Sequence, residues 1–193
     1  YLKDFEKQAA DLNFQVSEDW DWQNVSNLGM FTYALSKRPG KNQEIEKNVS
    51  KNIVDAANLI AFKTASDVYG RPSTKYYWGC NGTLVREVIN LQVANKISPD
   101  KNYLKASQDV VSHIFGRNFY NRSYVTGLGI NPPMNPHDRR SGSDAEKEPW
   151  PGYIVGGGHT ATGWNDVQED YRTNEIAINW QGALVYALAA FVE

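Results

Sequence analysis

Chemistry in this chain centres on the run Asp170-Tyr171-Arg172-Thr173-Asn174-Glu175-Ile176-Ala177-Ile178-Asn179-Trp180. Glu175 opens a strongly apolar segment with helical spacing, the acidic pair Glu169 and Asp170 precedes it, and Trp180 follows five residues later. Such a carboxyl has two readings. At a helix N-terminus it caps unpaired backbone N–H groups and complements the helix dipole. Facing a sugar, it is a proton-donating acid. Judged on these residues alone, the cap is the commoner role, and the choice depends on the rest of the chain.

A second group lies in the run Ser123-Tyr124-Val125-Thr126-Gly127-Leu128-Gly129-Ile130-Asn131-Pro132-Pro133-Met134-Asn135-Pro136-His137-Asp138-Arg139-Arg140. Three prolines stiffen this backbone, and Gly127 and Gly129 permit positive φ or close approach to a ligand. His137 and Arg139, two apart, point the same way if the loop is extended, and both donate hydrogen bonds. They suit sugar hydroxyls or a nearby carboxylate. Equally, they could anchor the loop by ion pairing with an aspartate such as Asp138 or Asp166.

Other chemistries find less support. His113, His137 and His159 lack close metal-ligand spacing. Asp166, Glu169 and Asp170 carry oxygen ligands of the kind calcium takes, without the EF-hand spacing. No Gly-x-Ser-x-Gly elbow accompanies a Ser–His–Asp set, and Gly156-Gly157-Gly158 lacks the lysine and strand of a phosphate loop.

The elements that must hold these residues are helical. Residues 1 to about 12 read as the end of a helix. Asp19-Trp20-Asp21-Trp22 opens a helical segment to about Lys37, before Pro39-Gly40. Lys41 to about Lys63 carries Ile45, Val49, Ile53, Ala56, Ala57 and Ile60 at helical spacing with charges opposite. Asn81 to about Lys96 and Tyr103 to about Phe115 follow. From Asn118 to Asp170 the chain is dense in Gly, Pro, Ser and Asn, a stretch long enough to be functional or disordered, and its aromatics argue against disorder. Asn174 to Phe191 reads as a final helix, apolar almost all round and so buried on most faces. No segment alternates strongly enough to build a sheet.

Composition narrows the classes further. The 193 residues, 41% apolar with a net charge of −2, fit one domain or part of one and point to no nucleic-acid partner. No apolar run is long enough to span a membrane. Cys80 is the lone cysteine, which excludes an internal disulfide. The chain starts Tyr1-Leu2-Lys3-Asp4, as a mature product or a fragment does.

Taken together, these segments resemble glycoside hydrolase family 9, the cellulase family with an (α/α)6 barrel. Two family signatures stand in order: the run from Ser123 to Arg139 ending Pro136-His137-Asp138-Arg139, and Trp164-x-Asp166-x4-Tyr171-x3-Glu175-x-Ala177. Trp78-Gly79-Cys80-Asn81-Gly82, Phe115-Gly116-Arg117-Asn118 and Trp150-Pro151 with Gly152 to Gly158 look like further landmarks. The resemblance runs from about residue 20 to 193. It implies an all-α fold, the C-terminal part of an (α/α)6 barrel with a long Gly/Pro-rich active-site loop region. It implies Glu175 as general acid, His137 and Arg139 as sugar-binding or positioning groups, and Asp166 as support for Glu175 or the loop. Trp180 falls where the family has an aromatic subsite residue, with Trp78 as a further stacking candidate. A proton-donating carboxyl must hold its proton near neutral pH, which burial beside aromatics favours, and sugar faces stack on indoles.

Two departures matter. Gln181-Gly182 follows Trp180 where the family usually has Asn and a small residue. The family's general base, in an Asp-Ala-Gly-Asp motif far upstream, has no counterpart here; Asp55-Ala56-Ala57-Asn58 lies inside a lysine-flanked helix and lacks the Gly-Asp. An inverting hydrolase needs both carboxyls, roughly 6.5–9.5 Å apart. The length likewise fits only about the C-terminal half of such a barrel.

The expectation is therefore residues 1–193 as the C-terminal portion of a single catalytic domain, inactive alone. Its partners would be a β-1,4-glucan and the N-terminal half that carries the base. No cofactor serves the chemistry, structural calcium follows from the resemblance, and secretion follows from a substrate outside cells. The alternative is a non-catalytic glucan-binding or structural fragment. Another helical toroid, of the prenyltransferase kind, would need metal-ligand clusters that are not seen.

Overall fold

The computed structural model describes residues 1–141 and 143–192. Among them the regular elements are helices: α1 (Leu2–Asp11), α2 (Ser26–Leu35), α3 (Gln43–Ser66), α4 (Cys80–Ile97), α5 (Lys101–Ile114), the short α6 (Tyr171–Asn174) and α7 (Ile178–Ala189). Asn42 caps α3 by accepting from the N–H groups of Glu44 and Ile45, and Asp100 caps α5 through Asn102 N–H.

The helices alternate between an outer and an inner layer. α3 and α5 each bury one stripe, Val49, Ile53, Ala57 and Ile60 on one and Tyr103, Ala106, Val110 and Ile114 on the other, and turn charges outward. α4 is buried on every face from Cys80 to Ala94, polar residues included, as only an inner helix can be. α7 lies parallel to α4. Near their starts Trp180 packs against Gly79 and Gly82, and near their ends Gln92 Nε2 donates to the Ala187 carbonyl at 2.7 Å. α1 packs on α2 through Phe5 stacked on Tyr33, with ring centroids 5.0 Å apart.

Two expected boundaries are corrected. Asp19-Trp20-Asp21-Trp22 is not helical, and α2 begins at Ser26. Side-chain bonds compete with the helix there: Asn27 exchanges hydrogen bonds with the Ser17 backbone, Trp20 Nε1 donates to Asn90 Oδ1, and Asp21 Oδ1 takes Gln23 N–H. The final helix begins at Ile178 rather than Asn174, because residues 175–177 are drawn into backbone pairing with the long loop.

That loop is ordered by isolated bridges. Val125 pairs with Ile154, His137 with Glu175 and Val155 with Ile176. Val125, Ile154, Val155 and Trp164 are buried beneath it. A stretch poor in periodicity thus packs its apolar residues into the same core as the helices.

Candidate active site

Glu175 is fixed from both sides by backbone. His137 N–H donates to the Asn174 carbonyl at 2.7 Å, and Gly156 N–H donates to the Glu175 carbonyl at 2.9 Å. Glu175 is extended, with φ −68° and ψ 153°, and Ala177, not Glu175, is the N-cap of α7. The helix-cap reading of this carboxyl is therefore overturned: the chain has two more extended residues to cross before a helix N-terminus forms. The side chain instead accepts from Trp78 Nε1 at 2.7 Å through Oε2, leaving Oε1 without a hydrogen bond among the described residues.

Trp78 connects Glu175 to a cleft of about 370 Å³ whose lining includes Asp21, Trp22, Gln23, Tyr77 and His159. The approaches to three inner helices converge here, Trp22 before α2, Trp78 before α4 and Trp180 at the start of α7. Trp22 is 53% exposed and offers an open indole face. The sequence reading missed it by assigning Asp19 to Trp22 to a helix. No periodic signal separates the two tryptophans: a period of two would put them on one face, whereas Trp20 is buried and Trp22 exposed.

Trp180 takes a different place from the one expected. It lines the Trp78 cleft, but at 1% exposure it presents almost no open surface there. Its indole fills the space above two glycines: a Cβ on Gly79 would lie 2.4 Å from Cζ2, and one on Gly82 2.2 Å from Cδ1. Trp78 meets it edge to face at 5.0 Å. Trp180 is the floor that sets the angle of Trp78, and Trp78 orients Glu175.

Asp166 and His137 organise the approach. Asp166 Oδ2 accepts from Arg122 Nη2 at 2.8 Å and Met134 N–H at 3.0 Å, and Oδ1 from Asn135 N–H at 3.0 Å and Asn174 Nδ2 at 3.1 Å. Burial works against its ionisation, but the two backbone N–H groups and the Arg122 guanidinium outweigh that and hold the carboxyl below its ordinary range. It thereby ties the residue before Glu175 to the segment leading into His137. His137 Nδ1 lies 2.6 Å from the Gln168 carbonyl, which can only accept, so Nδ1 carries the proton and Nε2 is left for a ligand. Arg139 is exposed and in no ion pair among the described residues; Asp138 pairs with Arg140 and Asp166 with Arg122. The loop-anchoring alternative for His137 and Arg139 thus falls to other arginines.

Calcium on Asp166, Glu169 and Asp170 does not fit. Asp166 spends both oxygens on four donors, and Asp170 accepts from Arg172 and Thr173. No group of three or more His, Cys, Asp or Glu converges among the described residues. Asp55 pairs with Lys51 along α3, outside the cleft.

Alternating outer and inner helices, with a held carboxyl where inner-helix approaches converge, define a helical-barrel protein with its site at one end. The chain belongs to glycosyl hydrolase family 9, whose family model matches residues 1–188. It is 59% identical over 194 residues to Endoglucanase D of Acetivibrio thermocellus, covering 100% of this chain and 31% of that protein. A metagenome-derived family 9 endoglucanase superposes with a TM-score of 0.81 at 29% identity, covering 89% of this chain and 33% of the other. The family 9 endoglucanase J30 superposes with a TM-score of 0.89 over 97% of this chain and 39% of its own, at 23% identity, which speaks to fold alone. The chain thus spans about a third of the length of these relatives. Its helices are part of an (α/α)6 barrel.

Proposed function

We propose that this chain is the C-terminal half of a secreted catalytic domain that hydrolyses β-1,4-glucosidic bonds with inversion, and that Glu175 is its general acid. The observation that carries this is the Glu175 carboxyl, held by Trp78 Nε1 at 2.7 Å beside a cleft with an open tryptophan. A glucan ring stacked on Trp22 or Trp78 brings a glycosidic oxygen toward the unengaged Oε1. His137 Nε2 accepts from a ring hydroxyl, and the Arg139 guanidinium donates to the ring oxygens. Asp166 acts as a positioning residue; its oxygens are spent on Arg122, Asn174 and two N–H groups, so it is not the base that activates water. That base comes from the preceding half, which also covers the open faces of α2 and α7.

Glu175→Gln in the chain joined to that half should lower turnover of cello-oligosaccharides by roughly 10²–10⁴-fold while binding is kept. Near-normal turnover in this variant would remove the assignment. A second reading, a glucan binder without catalysis, is favoured by the missing base. It predicts that the joined protein binds cello-oligosaccharides by way of Trp22 and Trp78 and never cleaves them.

A further inference from the structure

A second hollow lies across the 175–177 segment from the Trp78 cleft. It is about 270 Å³ in volume, lined by Arg140, Tyr153, Ile176, Ala177, Ile178 and Gln181. Glu175 turns its carboxyl toward Trp78, whereas the two residues that follow it line this other space. The hollow is thus adjacent in sequence to Glu175, on the Ile176 and Ala177 side.

The walls are built. The Arg140 guanidinium lies 5.5 Å from the ring centre of Tyr153, which lines the hollow with it, and 5.8 Å from that of Trp150, which stands outside the lining. Arg140 Nε donates to Asp138 Oδ1 at 3.2 Å, and Asp138 is fixed in turn by the Ser141 N–H and hydroxyl. Gln181 holds the back wall: Oε1 accepts from Ile154 N–H at 3.1 Å and Nε2 donates to the Gly152 carbonyl. The Gln181 departure from the family pattern thus clamps the loop segment carrying Tyr153. Trp150 remains 54% exposed.

We propose that Trp150, Tyr153 and Arg140 form an additional sugar-ring site, which binds a neutral glucan unit beyond the two rings at the bond being cut. The ligand class follows from the charge. Asp138 neutralises Arg140, so the site offers a free anion no net attraction, yet the guanidinium keeps directed donors in its Nη groups. Beside it stand an open indole and a phenol, flat apolar faces with polar rims, which suit a pyranose.

This inference rests on reading the Glu175 cleft as the cleavage site, and the test separates the two. In the chain joined to its preceding half, kcat/KM is measured for cellotriose through cellohexaose with the native protein, Trp150→Ala, Tyr153→Ala and Trp150→Phe. Trp150→Ala and Tyr153→Ala should lower kcat/KM for the longest oligosaccharide roughly five- to tenfold and leave cellotriose unchanged, and Trp150→Phe should recover most of the loss. An equal loss at every length, or none at any length, overturns the site. So does a loss of association with the preceding half in either alanine variant, which would make the hollow a protein seam. Glu175→Gln is run alongside: full turnover there sinks the cleavage-site reading, whatever the Trp150 series shows.

Discussion

At the scale of single residues, the site turns on one hydrogen bond. The Trp78 indole N–H reaches Glu175 Oε2 at 2.7 Å, and Trp180 fixes the indole from below. Trp78→Phe removes the donor and keeps an aromatic face. In the joined enzyme it should lower kcat roughly tenfold with KM nearly unchanged, the size of one net hydrogen bond. A rise in KM at constant kcat would instead make Trp78 a sugar platform with no hold on the acid. Glu175 and His137 stood out in the sequence because they lie in long, ordered runs, and the structure brings their backbones together. What could not be read was the partner of the acid, Trp78, which lies 97 positions away. Trp180 misled for the opposite reason: proximity in sequence gives no measure of exposure, and two glycines that leave room for its ring are remote from it in the chain.

Elements show the same division. α3, α4 and α5 were legible to within a few residues because apolar side chains repeat at helical spacing and caps and prolines bound them. The long loop was legible as ordered but not in its pairing, since isolated bridges leave no periodicity to read. Its order depends on carboxylates, above all Asp166. The folded state holds the Asp166 carboxyl below its ordinary range, and Asp138 and Asp170 shift the same way. A depressed carboxyl contributes stability that is present above the unfolded value, about 3.9, and lost as pH falls through the folded one. On acidification below about pH 4, the loop should therefore loosen before the helices do. Trp164, whose Nε1 donates to Asn174 Oδ1 at 3.2 Å, is the reporter: its fluorescence should change while the far-UV helical signal persists. Asp166→Asn should loosen the loop at neutral pH and shrink the acid transition. A single transition seen identically by both probes would mean that the loop and helices melt as one unit.

For the whole molecule, the decisive feature is what the arc of helices leaves open. Its two ends are apolar: Leu28 and Leu35 are exposed on α2, and Ile178 and Val185 are 91% and 62% exposed on α7. Both are inner helices, and exposed apolar stripes of this kind mark a surface that another element covers. The chain spans about a third of its relatives' length, and both open stripes fit the proposal that the missing part of the barrel covers them. Val185→Asp tests it cleanly, because Val185, 62% exposed, has little packing to lose in the chain alone. Circular dichroism of the variant should match the native chain. Its association with a separately produced preceding half, followed by titration and by recovered hydrolysis, should weaken roughly 10- to 100-fold, the scale of losing one buried valine at an interface. Unchanged association would mean that α7 faces solvent in the complete protein, and that the arc closes along some other edge.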